Sequence, residues 1–421
     1  MKIAIFGGSF NPPHKGHVYI AREARQRFSL DKVLFMVAAE PPHKSIAFGV
    51  DADMRLGLTK AALMGEDGLF ACDYELKRQG KSYTADTLKQ VRSIYPDAEL
   101  YLIVGADMLE NLPHWKEPET IFSIADIIAV SRPNCGDDNA AAQLIRQRYG
   151  VTVLMAGFSG PDISSTAIRD MVTNAVGIAK LVPRATMELI YQKLLYQPEY
   201  ILSYAQKLSM MIKPKRFCHS KGTMGYAVEL ASVWGEDGEK ARIAGLLHDC
   251  AKLGDGDAVA LAEKYGYEPS EEERRAPGLL HGPLGAIRVQ REFGVDDKDV
   301  IEAIACHVYG RMGMSKLDKI LFVSDKAEFT RDYDGVEALR EASQKSLDEA
   351  VLMTMERSMN YLMSKGAEPA ESSIRIRNSI SVIRRKRQLC WQLIKAGCQR
   401  MILQRSIRVL RSFRLIQTES L

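Results

Sequence analysis

Near its start the chain reads Gly7-Gly8-Ser9-Phe10-Asn11-Pro12-Pro13-His14-Lys15-Gly16-His17, between a predicted strand at 2–6 and a predicted helix at 18–28. Glycines let a polyphosphate approach the backbone, and a helix N-terminus offers free N–H groups. His14 and His17 can converge on one phosphate group and donate hydrogen bonds to a pentavalent phosphorane and to a leaving pyrophosphate. The glycine and proline framing disfavours the alternative, two surface histidines in a loop. The stretch therefore predicts phosphoryl-type transfer, which depends on positioning and charge stabilisation.

Strands and helices alternate up to about residue 196. Short apolar runs predict strands at 2–6, 32–37, 100–104, 127–130 and 151–155, and helical spacing predicts helices at 18–28, 54–64, 84–94 and 139–149. This alternation predicts an α/β Rossmann-like domain with a parallel sheet and helices on both faces. Ligands of such sheets bind beyond the carboxyl ends of the strands.

Beyond residue 197 the strand pattern gives way to helical spacing. We expect helices at 200–212, 222–234, 239–247, 258–265, 282–293, 297–307, 316–328, 335–344 and 347–365. The predicted organisation is an α/β domain at 1–197, an all-α domain at 198–380 and an extension at 381–421.

Composition indicates a globular protein. The 421 residues are 46% hydrophobic and 26% charged, which predicts two to three domains. We expect no secretion signal and no membrane span, because no apolar run reaches 18 residues. Seven cysteines without CxxC spacing favour free thiols and a cytoplasmic location.

The basic residues concentrate at the C-terminal end. Residues 374–421 carry a net charge of +11, which leaves −7 for residues 1–373 of a chain whose total is +4. Apolar residues recur at helical spacing within 381–421, so this segment resembles a basic amphipathic helix that contacts RNA, the ribosome or anionic lipid. The alternative is a dispensable extension that neither active site needs.

Further motifs follow in order along the first half. They are Pro41-Pro42-His43-Lys44, Ser82-Tyr83-Thr84-Ala85-Asp86-Thr87, Gly105-Ala106-Asp107 with Trp115 downstream, Arg132-Pro133, and Ile163-Ser164-Ser165-Thr166-Ala167-Ile168-Arg169. With the histidine stretch, they make residues 1–196 resemble the nicotinate-nucleotide adenylyltransferase family of the HxGH nucleotidyltransferase superfamily. The resemblance implies that ATP, accompanied by Mg²⁺, and nicotinate mononucleotide (NaMN) give deamido-NAD and pyrophosphate.

Residue roles follow from chemistry and from this resemblance. Ser164-Ser165-Thr166 forms a helix N-cap cluster that faces ATP phosphates, with Arg169 adding charge, or else a plain cap. Trp115 stacks on the pyridine ring or packs against the core. Asp107 accepts from ribose or adenine, or caps a helix. We therefore expect three catalytic residues, His14, His17 and Arg169. The expected ATP-binding residues are Gly8, Ser9, Phe10, Gly105, Asp107, Ser164, Ser165 and Thr166. The expected NaMN-binding residues are Asn11, Lys44, Tyr83, Thr84, Ala85, Trp115 and Arg132.

The alternatives for the first half are pantetheine phosphate or another nucleotide as substrate, or an NAD(H)-sensing domain.

Four histidines of the second half lie in helical surroundings. They occur in Arg216-Phe217-Cys218-His219-Ser220, Leu246-Leu247-His248-Asp249-Cys250-Ala251-Lys252, Leu279-Leu280-His281-Gly282 and Ala305-Cys306-His307, with Asp325 as a further candidate ligand. Imidazole together with carboxylate suits iron, manganese or zinc and leaves positions open for water and phosphate. Two such metals would clamp the attacking and leaving oxygens.

Residues 215–380 resemble the HD superfamily, in particular the YqeK-type symmetrical diadenosine-tetraphosphate hydrolases. The resemblance implies a site for two metal ions, with iron as the metal, and two molecules of ADP as products. It also implies a phosphate contact from Lys252. The implied metal ligands are His219, His248, Asp249, His281, His307 and Asp325. Val308-Tyr309 and Ser324-Asp325-Lys326-Ala327 depart from the family pattern, which leaves pocket shape open. Another nucleotide phosphohydrolase and a regulatory nucleotide-binding module are the alternatives. The sequence leaves a monomer and a homo-oligomer equally open.

Overall fold

The computed structural model describes residues 1–41, 45–78, 80–131, 139–366, 368–369 and 371–381. The chain forms two compact units, which divide after Met210. The predicted domain boundary at residue 197 precedes this division, which falls before the last residue of the helix Glu199–Met211.

A six-stranded parallel sheet forms the centre of the first unit. Its strands are β1 (Lys2–Gly8), β2 (Lys32–Val37), β3 (Leu69–Cys72), β4 (Glu99–Gly105), β5 (Asp126–Ser131) and β6 (Val153–Ser159). They lie in the order β3-β2-β1-β4-β5-β6, and every neighbouring pair is parallel. The predicted α/β fold is thus confirmed.

Strand β1 occupies the point at which the strand order reverses. It pairs with β2 through Ile3 and Lys32, and with β4 through Lys2 and Glu99. Ile3, Ala4 and Ile5 of β1 are almost completely buried, because neighbouring strands cover both edges and helices cover both faces. A crevice forms beyond the carboxyl ends of strands at such a reversal, and the histidine stretch starts there.

Helices flank both faces of this sheet. They are α1 (Lys15–Arg27), α2 (Ala52–Ala62), α3 (Thr84–Ile94), α4 (Pro118–Ile124), α5 (Asn139–Tyr149), α6 (Ser165–Thr173) and α7 (Arg184–Gln192). Two separate apolar cores result. One includes Ala21 of α1 and Leu56 of α2, whereas the other includes Leu88 of α3 and Phe122 of α4.

The described residues of the second unit contain only helices and connecting turns. Helix α8 (Glu199–Met211) leads into this unit. The helices that follow are α9 (Pro214–Trp234), α10 (Gly238–Leu247), α11 (Asp255–Tyr265), α12 (Glu271–Arg275), α13 (His281–Phe293), α14 (Lys298–Cys306), α15 (Lys316–Ala327), α16 (Val336–Lys345) and α17 (Leu347–Ser364). Residues 371–381 are helical as well. This confirms the predicted all-α class. Most of the predicted extension, residues 382–421, lies outside the described residues.

Close approach of α9 and α10 depends on Gly245. A Cβ atom at this position would lie 2.7 Å from the Cα atom of Met224. Because glycine has no Cβ, the two helices pack backbone against backbone. This contact brings His219 on α9 close to His248, which follows the last residue of α10.

No helix among the described residues is long and apolar enough to cross a bilayer. Among the described cysteines, Cys72, Cys250 and Cys306 are buried free thiols, as predicted.

Candidate active sites

The loop after β1 is held in a strained conformation by its own aromatic residue. Phe10 has a φ of 47°, in the left-handed region, and its side chain is 2% exposed. Its ring packs against Phe6, Phe35 and His17. A Cβ atom on Gly8 would lie 2.9 Å from that ring, so glycine is required there. Gly8, Ser9 and Phe10 therefore form a fixed turn at the carboxyl end of β1.

His14 and His17 lie together at the start of α1. The backbone N–H of His14 donates to Nδ1 of His17 at 3.2 Å, and the two ring centroids are 3.7 Å apart. Because Nδ1 of His17 accepts a hydrogen bond, the neutral ring carries its proton on Nε2. Gly16 makes room for the partner ring, since a Cβ atom there would lie 2.9 Å from Nδ1 of His14.

Burial keeps His14 neutral. Its side chain is 6% exposed, and desolvation lowers its pKa to about 4. Within the described part of the chain, its Nδ1 atom is buried and has no hydrogen-bond partner. An unpaired buried nitrogen at the first turn of a helix is suited to a ligand that supplies the missing partner.

The start of α6 is fastened to the histidine loop. Ser165 donates from its hydroxyl to the Pro12 carbonyl at 2.8 Å, and Arg169 donates to the Asn11 carbonyl at 2.7 Å. Arg169 also donates to the Thr166 hydroxyl at 3.0 Å. The predicted N-cap is present, because the side chain of Ser164 accepts from the Ala167 N–H at 3.1 Å. Two helix N-termini, those of α1 and α6, are thus connected through one loop.

Gly105 and Asp107 lie at the end of β4, next to β1 in the sheet. A Cβ atom on Gly105 would overlap Oδ1 of Asp107, which would then lie 2.3 Å away. Glycine therefore permits the exposed Asp107 carboxylate to fold back over the strand end. Asp107 belongs to the first turn of a 3₁₀ helix, Ala106–His114.

The predicted NaMN residues fall into separate groups. Tyr83 is the N-cap of α3, Thr84 and Ala85 are its first residues, and Trp115 packs half-buried against the core. Asn11 is 3% exposed, and both polar atoms of its side chain are hydrogen-bonded inside the protein: Nδ2 donates to the Ala47 carbonyl at 3.1 Å, and Oδ1 accepts from the Tyr196 hydroxyl at 2.7 Å. Lys44 and Arg132 lie outside the described residues.

Arg55 is a structural residue that the sequence analysis missed. Its side chain is 1% exposed, and its guanidinium donates to the carbonyls of Ser9, Ala38 and Ala39 at 2.9, 2.6 and 3.0 Å. It also donates to the Val50 carbonyl at 3.3 Å. A lone arginine in an amphipathic helix normally lies in solvent, so helical spacing carried no signal for this role.

In the second unit, four histidines and two aspartates converge from separate helices. His219 belongs to α9 and Asp325 to α15, whereas the others follow or begin helices: His248 and Asp249 after α10, His281 at the start of α13 and His307 after α14. All six side chains are buried. Tertiary packing therefore assembles the set that the resemblance predicted.

The six side chains form two groups that share Asp249. One contains His219, His248, Asp249 and Asp325; the other contains Asp249, His281 and His307. Oδ2 of Asp249 lies 3.4 Å from Nε2 of His248, and Oδ1 lies 3.5 Å from Nε2 of His281 and 3.7 Å from Nε2 of His307. The two oxygens of one carboxylate thus face different groups.

Three of the histidines are oriented by their own helical turns. Nδ1 of His248, His281 and His307 lies 2.9, 2.5 and 2.7 Å from a carbonyl oxygen three residues earlier. This contact places the proton on Nδ1 and leaves Nε2 as an electron-pair donor. Nε2 of His307 is buried without a hydrogen-bond partner among the described residues. Such imidazole and carboxylate donors fit divalent transition metals.

The charges of the cluster are strongly coupled. Burial opposes a charge on His248, but Asp249 and Asp325 outweigh it and raise the pKa of His248 to about 10. Despite burial, neighbouring positive groups hold the pKa of both carboxyls well below its usual range. Burial lowers the pKa of His281 to about 3. The two buried carboxylates are compensated by neighbouring positive groups, and a metal ion could supply this charge in place of the proton on His248.

Cationic side chains surround the cluster. Arg216 lies 2.8 Å from Oδ2 of Asp249, Lys326 lies 2.7 Å from Oδ2 of Asp325, and Arg331 lies 3.2 Å from Oδ1 of Asp325. Lys252 lies 3.0 Å from Nδ1 of His281. The first three are each about one-third exposed, so the rim of the cluster is positively charged and accessible.

Glu328 is a second residue that the sequence analysis missed. Its carboxylate is completely buried, lies 3.0 Å from Nδ1 of His219, and accepts from the backbone N–H and hydroxyl of Thr330. It thus orients the one cluster histidine that does not use a carbonyl of its own turn. Its position three residues after Asp325 gives both side chains the same helical face, which was the available signal.

Comparisons with known proteins divide the chain in the same way. Residues 5–171 match the cytidylyltransferase-like family and residues 216–330 match the HD domain. The "Probable nicotinate-nucleotide adenylyltransferase" of Clostridium tetani is 35% identical over 198 residues, which cover 47% of this chain and 99% of the relative. That of Maridesulfovibrio salexigens is 36% identical over 208 residues, covering 46% and 96%.

Two solved structures are similar to different parts of the chain. A predicted HD superfamily hydrolase involved in NAD metabolism from Clostridium acetobutylicum is 39% identical, covers 43% of this chain and 96% of its own, and has a TM-score of 0.42. Nicotinic acid mononucleotide adenylyltransferase of Plasmodium falciparum is 19% identical, covers 46% and 97%, and has a TM-score of 0.40. Through its first half, this chain belongs to the nicotinate-nucleotide adenylyltransferase family, and its second half carries an HD domain.

Proposed function

We propose that the chain is a bifunctional nucleotide enzyme whose first unit transfers AMP from ATP to NaMN. The observation that carries this proposal is the pairing of His14 and His17 at the start of α1, with α6 fastened to the same loop through Ser165 and Arg169. Family membership supports the substrate assignment. The products are deamido-NAD and pyrophosphate.

The residues of the first unit fit an in-line displacement. A phosphate oxygen of NaMN attacks the α-phosphorus of ATP, and the bond to the oxygen that bridges to the β-phosphorus breaks as pyrophosphate leaves. Nε2–H of His17 donates to the developing negative charge, and the N–H groups at the start of α6 bind phosphate oxygens. Neutral His14 requires no counter-charge, because its pKa is about 4.

Product analysis tests this assignment. The purified full chain, given Mg²⁺, ATP and NaMN, should release deamido-NAD and pyrophosphate in equal amounts. Pantetheine phosphate and nicotinamide mononucleotide, offered at the same concentration, are the competing acceptors. Faster adenylylation of pantetheine phosphate would overturn the assignment of NaMN.

For the second unit we propose a metal-dependent phosphohydrolase that cleaves diadenosine tetraphosphate into two ADP. The observation that carries it is Asp249, whose two oxygens face two separate ligand groups. His219, His248, Asp249 and Asp325 would hold one metal, and Asp249, His281 and His307 the other. Divalent metals held there supply Lewis acidity for the hydrolysis of a phosphoanhydride. Iron is the proposed metal, on family resemblance.

The charged rim supports a substrate with several phosphates. Arg216, Lys326 and Arg331 are partly exposed beside the ligand carboxylates, and Lys252 lies beside His281. Carboxylates that bind metals no longer need these cations, which can then bind phosphate oxygens. A nucleoside monophosphate would leave most of this positive charge unpaired.

Chromatography of the products tests the second activity. Symmetrical cleavage gives only ADP, whereas asymmetric cleavage gives ATP and AMP. Release of inorganic phosphate from nucleoside monophosphates, or opening of a cyclic nucleotide, at a higher kcat/KM than diadenosine tetraphosphate would indicate another HD chemistry. Metal-loaded protein that binds nucleotides without cleaving any of them would indicate a regulatory module.

We propose a cytoplasmic location, with which the buried free thiols Cys72, Cys250 and Cys306 are compatible. We retain a weak, salt-sensitive contact of residues 381–421 with nucleic acid or the ribosome as a proposal.

A further inference from the structure

A buried polar network lies beneath the start of α3. Thr87, which is 1% exposed, donates from its hydroxyl to Oε1 of Glu75 at 2.5 Å and accepts from the Arg78 guanidinium at 2.7 Å. The Tyr83 carbonyl lies 3.2 Å from the same hydroxyl. The first turn of α3 is therefore fixed to residues that follow β3, rather than only to its own helix.

Glu75 in this network is 7% exposed. Ser82, the residue before Tyr83, joins the network to the segment that follows β2. The Ser82 hydroxyl oxygen accepts from the Ala39 N–H at 2.9 Å, and the Ser82 N–H donates to the Glu40 carbonyl at 2.9 Å. Ser82 is thus bound on two sides by the segment that follows β2.

The same segment is bound from its other side by Arg55. This guanidinium holds the carbonyls of Ala38 and Ala39 together with that of Ser9, which belongs to the loop after β1. Residues 38–40 therefore lie between the phosphate loop and the segment 82–85. Hydrogen bonds of Arg55 and Ser82 thus connect the loop after β1, in the proposed ATP subsite, with the segment 82–85 of the proposed NaMN subsite.

We propose that Glu75 and Thr87 are positioning residues that aim the Tyr83–Ala85 amides at the carboxylate of NaMN. The inference rests on the proposed adenylyltransfer to NaMN and extends it to substrate selectivity. Amide N–H groups at a helix start bind an anion only when they point at it, and charge-assisted hydrogen bonds are the stronger ones. A small rotation of this turn therefore weakens binding of the nicotinate carboxylate more than binding of the neutral nicotinamide group.

Thr87→Val tests the proposal, because valine keeps the shape and removes the hydroxyl. The ratio of kcat/KM for NaMN to that for nicotinamide mononucleotide should fall about tenfold, the usual scale for one lost buried hydrogen bond. KM for ATP should change less than about twofold, since the phosphate loop keeps its bonds to Arg55. Thr87→Ser, the matched control, restores the hydroxyl and should restore the ratio.

A purely structural role predicts a different result. General loosening of the domain would lower kcat/KM for both mononucleotides equally and leave their ratio unchanged, which would overturn the proposal. An unchanged KM for NaMN in Thr87→Val would also overturn it. If that variant does not fold, Glu75→Gln serves instead and should lower the same ratio. Failure of the wild-type protein to adenylylate NaMN would overturn the proposed function itself. Measurements on the variants alone cannot overturn it.

Discussion

The two sites obtain their histidines in opposite ways. In the first unit, His14 and His17 are three residues apart and come together through one helix start. In the second unit, histidines from separate helices meet around Asp249. The first pair lies beside phenylalanines and includes a neutral histidine of low pKa, whereas Asp249 and Asp325 raise the pKa of His248. The first site therefore suits stabilisation of phosphate charge by the protein, whereas the second could hold a metal cation.

Removing the shared carboxylate should have the largest effect. Asp249→Ala takes one ligand from both groups and should abolish metal retention and hydrolysis, while adenylylation continues. Elemental analysis of the purified variant measures the first effect directly. Unchanged metal stoichiometry would show that the ligand assignment is wrong.

His17→Ala should lower kcat for adenylylation by about 10²- to 10³-fold, because a donor to transition-state charge is lost. ATP binding should change less, since the helix N-termini remain. Steady-state kinetics with varied ATP separates the two effects, and the hydrolase rate is the internal control. Near-normal turnover would remove His17 from the mechanism.

Acid should destabilise the first unit through His14. Folded His14 stays neutral down to its pKa of about 4, whereas the unfolded chain takes up this proton near pH 6.5. The unfolded state thus binds more protons in that window, and the free energy of unfolding should fall by up to about 3 kcal/mol as pH drops from 6.5 to 4.

Urea unfolding of wild-type protein and His14→Gln across this range measures the contribution. The wild type should lose more stability toward low pH than the variant, because the variant lacks the titrating group. Parallel pH profiles would mean that His14 is not held neutral by burial.

Loss of Glu328 should weaken only one metal group. Glu328→Ala removes the acceptor beside His219, and loss of such an orienting partner typically lowers metal affinity by about 10- to 100-fold. Glu328→Gln, which retains an acceptor oxygen, is the control and should lose less. A metal titration should show one weakened step and one unchanged step. Equal weakening of both would contradict two separate groups.

Features set by local sequence were predictable. The observed helix Thr84–Ile94 and strand Lys32–Val37 coincide with the predicted bounds, because their apolar periodicity is strong. Strand β3 was missed, since it has four residues and Phe70 at its edge is 46% exposed. Helix α1 begins earlier than predicted, because His14 acts as its N-cap.

Residues whose roles depend on tertiary packing were not predictable in the same way. His14, His17 and the metal ligands stand in distinctive local motifs, so their residue types were informative. Arg55, Glu75 and Glu328 are charged residues that would normally be solvated, and only the fold buries them. Nothing in the immediate sequence of Arg55 or Glu75 distinguishes a buried hydrogen-bonding role from a surface one, whereas Glu328 could be linked to the cluster by its spacing from Asp325.

Crossed product analysis tests the central claim, that one chain carries two independent active sites, most directly. Wild-type protein, His17→Ala, Asp249→Ala and the double variant are each assayed for deamido-NAD from NaMN and for ADP from diadenosine tetraphosphate. We predict that each single variant loses one product and keeps the other within about twofold of wild type, as expected for sites that share no residues, and that the double variant loses both. Loss of both products in either single variant would contradict independent sites.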